Sequence, residues 1–340
     1  MLAVETPISQ PPVYSGIQIE FMSTDSSRWR RRWNRLMNPG RAVASGRFAE
    51  RLRQLAVGVD VVHLVDPRMA GALRMFDCPT VLQLDCLSAR DRKIRRLWAR
   101  AERDALEVLR SERHALRRAN WLLVNSQEVA EVLPRRIAQS HRAVAPLALD
   151  PAHYTMQASL ERPVAGLIGT ARWPTTTNAV RRLLSRVWPR VLERRPTARL
   201  VLAGVGMEAA TFGADPDLPG VEWRGRVPSA TDFLRELGVL LYPLTAGSGT
   251  KVKVLEALAL GVPVVSTREG AEGLIDRRGV MVEEDDERIA AATVALLDDA
   301  AARRDAGARA RENFLAHHTP AVAALPVVEL YERMMRDSSG

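Results

Sequence analysis

Residues 242–274 have the sequence YPLTAGSGTKVKVLEALALGVPVVSTREGAEGL. A loop with Gly247 and Gly249 follows an apolar run that fits a buried strand. The spacing then predicts a helix over Thr250–Leu260, ended by a glycine, and a further strand over 262–266. A strand, a glycine loop, a helix and another strand in this order are typical of a parallel α/β sheet.

The start of this predicted helix has the features of an anion site. Glycines let the backbone approach a ligand closely, and free amides at a helix N-terminus attract negative charge. Lys251 and Lys253 add two cations, in a chain with three lysines and 46 arginines. A diphosphate fits this combination best. Glu256 on the same helix can accept two hydrogen bonds from a vicinal diol such as a ribose, and the alternative is an ordinary solvated helix residue.

Short apolar runs alternate with helical patterns along the rest of the chain. The apolar runs are 59–65, 80–84, 121–125, 164–169, 198–204, 238–243 and 262–266. The helical patterns are 90–118, 126–138, 178–193, 229–237 and 250–260. Such alternation predicts an α/β protein with doubly wound parallel sheets, whose ligand loops lie at the carboxyl ends of the strands.

A polar segment over 149–162 interrupts this alternation and contains turn-forming residues. We therefore predict an N-terminal, acceptor-side domain over 1–152 and a C-terminal donor domain over 153–318. The remaining residues, 319–340, fit an amphipathic helix that crosses back to the first domain.

Composition excludes several classes of protein. No apolar run reaches the roughly 18 residues needed to cross a bilayer, and the N-terminus lacks the pattern of a secretory signal. Cys78 and Cys86 are too few for a disulfide framework or a zinc site, so we expect a cytoplasmic protein that binds no metal. The net charge is +9, but no nucleic-acid signature appears and we expect no such partner. The basic segments 28–35 and 90–118 fit solvated surfaces; the alternatives are acceptor binding and peripheral contact with the inner face of the membrane.

The stretch 242–274 resembles the donor-binding segment of retaining family 4 glycosyltransferases. These enzymes have the GT-B fold, in which two Rossmann-like domains face a cleft. The resemblance is closest to a bacterial subgroup with the motif Gly-x-Gly-x-Lys-x-Lys-x-Leu-Glu-Ala. It extends over GTARWPTTTNAVRRL (169–183), RPTARLVLAG (195–204) and VEWRGRVPS (221–229).

The resemblance implies transfer of a hexose-type sugar from a nucleotide diphosphate sugar, with retention at the anomeric carbon. It implies no cofactor, because the nucleotide sugar is a co-substrate and no metal is used. The acceptor would be a small molecule, a lipid-linked molecule or a glycan, in exopolysaccharide or specialised-metabolite glycosylation.

The resemblance also implies a donor site in the second domain. The residues that it places on the diphosphate and sugar are Arg172, Gly247, Ser248, Gly249, Thr250, Lys251 and Lys253. Glu256 would hold the ribose, and the backbone at Arg226 and Val227 would meet the base. Ser248 departs from the family pattern, because many members have a sugar-contacting glutamate there; a serine offers a hydrogen bond without charge.

The first domain has a weaker resemblance, over PTVLQLDCLSARD (79–91). Asp85 stands where many members have a histidine beside the reacting carbon, which implies a carboxylate that stabilises positive charge on the sugar. The alternative for Asp85 is a helix cap or an Asx turn. Only 58 residues precede Val59, so we expect either an abbreviated first domain or a chain that begins late. The stretch PPVYSGIQ (11–18) fits a reduced N-terminal loop with Gly16; the alternative is an unrelated strand.

Two rival functions stay open at this point. A nucleotide-sugar epimerase or hydrolase on the same fold would consume the donor without an acceptor. A non-catalytic, degenerate transferase would bind the nucleotide without turnover. The fold by itself does not separate these functions.

Overall fold

The computed structural model describes residues 2–4, 20–22, 46–91, 100–156 and 162–338. The predicted loop residue Gly16 and the basic run 28–35 lie outside these ranges. The chain forms two compact units. Unit 1 consists of Met1–Val124, Ala130–Val144 and Pro326–Gly340, and unit 2 consists of Asn125–Val129 and Ala145–Leu325.

The strands are β1 (Leu2–Val4), β2 (Glu20–Met22), β3 (Val62–Val65), β4 (Thr80–Leu84), β5 (Trp121–Val124), β6 (Arg142–Val144), β7 (Val164–Ile168), β8 (Arg199–Ala203), β9 (Val221–Gly225), β10 (Val239–Tyr242), β11 (Val264–Ser266) and β12 (Val280–Val282). The helices are α1 (Gly46–Leu55), α2 (Ser88–Asp91), α3 (Arg100–Arg118), α4 (Gln127–Glu131), α5 (Pro174–Arg182), α6 (Trp188–Arg194), α7 (Ala209–Phe212), α8 (Ala230–Arg235), α9 (Val252–Leu260), α10 (Asp286–Asp298), α11 (Ala300–His317) and α12 (Pro320–Ser338). None of the helices in the described ranges is long and apolar enough to span a membrane.

Unit 1 has a parallel sheet in the order β3-β4-β5-β6, and β1 pairs with β2 in a separate parallel ribbon. Leu82 in the middle of β4 lies opposite Leu64 on one side and Leu122 on the other. All three side chains are buried, because strands covered on both faces need apolar residues throughout. The continuous apolar runs in the sequence therefore predicted β3, β4 and β5, whereas no predicted run marked β6.

Unit 2 has a parallel sheet in the order β12-β11-β10-β7-β8-β9. The chain builds outward from β7 through β8 to β9, and then returns to add β10 on the other side of β7. The strand order thus reverses between β7 and β10, which makes this sheet doubly wound. In such sheets, ligands bind in the crevice outside the carboxyl ends of the strands at the reversal.

Helix α9 lies in the core of unit 2 and is buried from Val254 to Leu260. Its apolar residues therefore surround the helix instead of forming one stripe. The predicted start at Thr250 was wrong by two residues, because Lys251 has extended backbone angles and is the N-cap. Gly261 ends the helix in the left-handed conformation, as predicted.

Other helices also differ from the pattern in the sequence. The predicted helix over 126–138 was wrong in length: α4 ends at Glu131, because the residue before Pro134 disfavours helical angles. The predicted helix over 178–193 starts earlier, at Pro174, and consists of α5, a π-helical turn at Leu183–Val187 and α6. Pro189 has no amide hydrogen to donate within the helix, which accounts for the irregular turn before it.

Candidate functional site

The predicted donor residues of unit 2 follow strands that end at one edge of its sheet. Arg172 follows β7, residues Gly247–Lys251 follow β10, and Arg226 and Val227 follow β9. Strands β7 and β10 pair directly, so the first two loops flank the reversal of strand order. The structure therefore brings these loops to the position where doubly wound sheets hold ligands.

The glycine loop after β10 packs against the start of α5. A Cβ atom built on Gly247 would lie 3.4 Å from Cγ2 of Thr175. Arg172 precedes this helix, is exposed, and has no hydrogen-bond or ion-pair partner among the described residues. An unpaired guanidinium at this edge is available to an anionic ligand.

The backbone of the loop needs its glycines. Gly247 has a φ of 128° and Gly249 a φ of 77°, values that side-chain-bearing residues rarely adopt. The amide of Gly249 donates to Oε1 of Glu272 at 2.8 Å, and the Thr250 hydroxyl donates to the Asn125 carbonyl at 3.2 Å. Hydrogen bonds to other segments of the chain thus hold the loop in place.

Lys251 binds the loop that precedes it. Its Nζ atom donates to the carbonyl oxygens of Gly247, at 3.0 Å, and of Gly249. The ammonium group therefore closes the loop into a ring and places a positive charge within it.

The N-terminus of α9 offers free amides beside this loop. The first intrahelical bond at this end runs from Leu255 N to Lys251 O at 3.0 Å, so the amides of Val252, Lys253 and Val254 have no acceptor within the helix. Within the described ranges, no side chain caps this end. The helix dipole adds partial positive charge at the same point.

Glu256 lies on the first turns of α9, and two side chains hold its carboxylate. Its Oε2 atom lies 2.7 Å from Lys253 Nζ, and its Oε1 atom accepts from the Tyr154 hydroxyl at 3.3 Å. Glu256 is 8% exposed, so most of the residue is covered by the surrounding protein. Burial, followed by the negative charge of Glu256, raises the pKa of Tyr154.

Sequence reasoning missed Tyr154 and Glu272. Tyr154 lies in the polar segment between the predicted domains and has no pattern that marks it. Glu272 belongs to the GAEGL motif at 270–274, which we noted for its resemblance without assigning the glutamate a role. An acidic residue between two glycines, shortly after an apolar strand pattern, is the signal that the motif offered.

The predicted base-binding residues lie directly after β9. Arg226 is exposed and Val227 is half-buried. The carboxylate of Glu208 lies nearby, since a Cβ atom built on Gly225 would be 3.5 Å from its Oε1 atom.

In unit 1, Asp85 follows β4 and its side chain is exposed. Gln83 donates from Nε2 to Oδ1 of Asp85 at 2.7 Å, which fixes the orientation of the carboxylate. Glu112, by contrast, is 1% exposed and accepts from the amides of Ser88 and Ala89 at the start of α2. Its role in the structure is to cap that helix.

No group of three or more His, Cys, Asp or Glu side chains in the described part of the chain is arranged to hold a metal ion. Metal independence stays a prediction.

Residues 162–299 match the model of the family described as Glycosyl transferases group 1. The matched range includes Arg172, the glycine loop and Glu256. This match supports the prediction of a transferase that uses a nucleotide sugar. No curated protein sequence matches the chain at a significant level.

Solved structures share the fold. Sucrose-phosphate synthase from Thermosynechococcus elongatus has a TM-score of 0.68 at 15% identity, covering 93% of this chain and 84% of its own. Anabaena HepE, in complex with UDP and glucose, has a TM-score of 0.61 at 13% identity, covering 95% and 86%.

A TarM variant from S. aureus, in complex with fondaparinux, alpha-GlcNAc-glycerol and UDP, has a TM-score of 0.62 at 13% identity and covers 83% of this chain. The present chain spans 57% of the length of that protein. At these identities the likenesses show the fold alone, and together with the parallel sheets they establish the GT-B fold.

Proposed function

We propose that this chain is a retaining glycosyltransferase that moves a hexose-type sugar from a nucleotide diphosphate sugar to an acceptor, without a metal ion. Its acceptor is a small molecule, a lipid-linked molecule or a glycan. Unit 2 binds the donor, and unit 1 supplies Asp85 and the acceptor site.

The observation that supports this proposal most directly is the arrangement of charge on α9. The helix has a positive N-terminus with free amides and, about one turn later, the largely buried carboxylate of Glu256. In a nucleotide diphosphate, the negatively charged diphosphate lies close to the vicinal diol of the ribose. The diphosphate matches the N-terminus of α9, and the diol matches the Glu256 carboxylate. Arg172 adds a cation beside the same edge.

The chemistry needs charge stabilisation at the leaving group. When the bond between the anomeric carbon and the diphosphate breaks, negative charge develops on the diphosphate. The amides of α9 and the Arg172 guanidinium would stabilise that charge, which is the largest contribution expected in such a transfer. The Asp85 carboxylate would stabilise the positive charge that develops on the sugar.

Binding of nucleotides to the folded protein tests the proposal first. Thermal unfolding would be followed with UDP, GDP, dTDP and ADP, beginning with UDP because the HepE and TarM structures contain it. A ligand at a hundredfold excess over Kd stabilises the native state by about 2.7 kcal/mol. We expect one nucleotide to raise the melting temperature and Glu256→Ala to remove most of that rise. If none of the four raises it, the proposal is wrong.

Turnover of the corresponding nucleotide sugar tests the catalytic part. We expect Asp85→Asn to reduce release of the nucleotide diphosphate by about a hundredfold, while the nucleotide-induced stabilisation stays intact. Equal rates with and without an acceptor would favour a hydrolase or epimerase. Binding without any turnover would favour a non-catalytic binder.

A further inference from the structure

Glu272 is a buried acidic residue next to the proposed diphosphate loop. It follows β11, is 2% exposed, and accepts a hydrogen bond from the Gly249 amide at 2.8 Å. The same Oε1 atom lies 3.5 Å from the hydroxyl of Ser126. Burial of a carboxylate is costly unless hydrogen bonds offset the lost hydration. The contact with Gly249 is therefore a strong constraint on both partners.

The contact fixes the direction of one peptide group in the glycine loop. Because the peptide bond is planar and trans, an amide that points at Glu272 forces the Ser248 carbonyl to point the opposite way. Glu272 thus sets the direction of the Ser248 carbonyl in the glycine loop.

The segment that contains Glu272 and Gly273 packs tightly against the glycine loop at Thr250. A Cβ atom built on Gly273 would lie 2.1 Å from Oγ1 and 2.9 Å from Cα of Thr250. The segment with Glu272 therefore lies directly behind the glycine loop, and a displacement of one requires displacement of the other.

We propose that Glu272 is a positioning residue that holds the glycine loop in the conformation that receives the diphosphate. This inference rests on the proposed function, since it assumes that the loop binds a diphosphate. Glu272 acts through Gly249 and does not itself contact the ligand. Its effect should therefore fall on the phosphate part of the nucleotide and not on the base or ribose.

The experiment compares diphosphates with monophosphates. Affinities for UDP, GDP, dTDP and ADP, and for the four corresponding monophosphates, would be measured by calorimetry on the wild type and on Glu272→Ala and Glu272→Gln. Glu269→Ala is the matched control, because this half-buried glutamate lies three residues away and has no hydrogen-bond or ion-pair partner among the described residues. The ratio of monophosphate to diphosphate Kd isolates the part of binding that the loop provides.

We expect Glu272→Ala to weaken diphosphate binding about tenfold or more, because the Gly249 amide is left without its acceptor, while monophosphate binding changes less than about threefold. Glu272→Gln should recover most of the loss, since its amide oxygen can still accept from Gly249. Glu269→Ala should bind both nucleotides as the wild type does. A lower melting temperature for Glu272→Ala with an unchanged Kd ratio would show a structural role alone and overturn the inference.

Two further outcomes are distinguishable. If Glu272→Ala does not fold, Glu272→Asp replaces it, because the shorter side chain withdraws the carboxylate from Gly249. A full diphosphate preference in Glu272→Asp would overturn the inference. If the wild type binds none of the four diphosphates, the proposed function fails and the inference fails with it. If the wild type binds a diphosphate and every variant has the wild-type ratio of monophosphate to diphosphate Kd, the inference is wrong but the proposed function stands.

Discussion

Tyr154 and Glu256 lie 102 positions apart in the chain and are joined by a hydrogen bond of 3.3 Å from the phenol hydroxyl to Oε1 of the carboxylate. The Nζ atom of Lys253 lies 2.7 Å from the other carboxylate oxygen, Oε2. The carboxylate of Glu256, which we propose binds the ribose, is therefore oriented before any nucleotide binds. Preorganised groups bind a ligand more tightly because less conformational freedom is lost on binding.

Removal of the Tyr154 hydroxyl tests this orientation. We expect Tyr154→Phe to lower the free energy of unfolding by about 1 kcal/mol, because one partly buried hydrogen bond is lost. Affinity for the nucleotide diphosphate should fall several-fold, because Glu256 gains rotamer freedom. Calorimetry on Tyr154→Phe and on the exposed-site control His153→Asn would measure both effects. Unchanged nucleotide affinity in Tyr154→Phe would argue against the orienting role.

The two lysines of the donor segment should respond differently to arginine. Lys251 contacts two backbone carbonyls in a tight loop, and a planar guanidinium does not fit the place of a compact ammonium. We expect Lys251→Arg to weaken diphosphate binding about tenfold or more. Lys253→Arg keeps the ion pair with Glu256 and should change the affinity less than about threefold. Equal effects of the two substitutions in the same calorimetric titration would contradict this assignment.

Gly273 permits a comparison between two glycines with similar backbone angles. Gly273 has a φ of 82° and Gly213 a φ of 64°, so an alanine is strained by about 1–2 kcal/mol at either position. Only at Gly273 does the new Cβ atom also meet Thr250; around Gly213 it meets nothing within 4 Å. Gly273→Ala should therefore cost about 1–3 kcal/mol more than Gly213→Ala in urea-induced unfolding.

The same pair of variants separates stability from binding. Gly273→Ala should also lose nucleotide-induced stabilisation, because Thr250 and the glycine loop must move. Gly213→Ala should keep it. If both variants keep the full stabilisation, the loop tolerates displacement and the tight packing has no role in binding.

His318 should make the stability of the protein depend on pH. The residue is fully buried, and its Nδ1 atom donates to the Leu147 carbonyl at 2.9 Å. Burial lowers the pKa of His318 below the usual value, although the bond to Leu147 acts in the opposite direction. The unfolded chain then binds more protons than the folded one, so this contribution to stability is present above about pH 6.5 and is lost as the pH falls.

We expect the melting temperature to decrease between about pH 7.5 and pH 5, and His318→Asn to make that decrease shallower. The asparagine amide can still donate to Leu147 but does not titrate in this range. His153→Asn removes an exposed histidine and serves as the control. Burial also lowers the pKa of His63, so part of the decrease should persist in His318→Asn. Equal slopes for all three proteins would exclude His318 as the source.

Local patterns in the sequence predicted much of unit 2. The runs at 164–169, 198–204 and 238–243 lie on β7, β8 and β10, because buried parallel strands need continuous apolar residues. The glycine loop and the helix after it were also predicted, since all of their signals lie within about 20 neighbouring residues. The start of α9 was placed two residues early, because the change of backbone angle at Lys251 has no signature in residue type.

The contacts that shape the proposed donor site were beyond this kind of prediction. Tyr154 reaches Glu256 from a segment without a periodic pattern, and Glu272 reaches Gly249 from 23 positions away. Such contacts depend on how strands are ordered in the sheet, and local sequence patterns do not reveal that order. Lys251 contacts Gly247 and Lys253 contacts Glu256. This difference between the two lysines likewise appears only in three dimensions.

The short segment Asn125–Val129 has a consequence for dissection of the protein. It belongs to unit 2, but the chain before and after it belongs to unit 1. Thr250 binds the Asn125 carbonyl, and Glu272 contacts the Ser126 hydroxyl. A gene fragment that starts at Ala145 would therefore encode unit 2 without two of the groups that anchor its glycine loop. The two halves of this protein are interleaved in the gene, and no single cut in the coding sequence yields either of them whole.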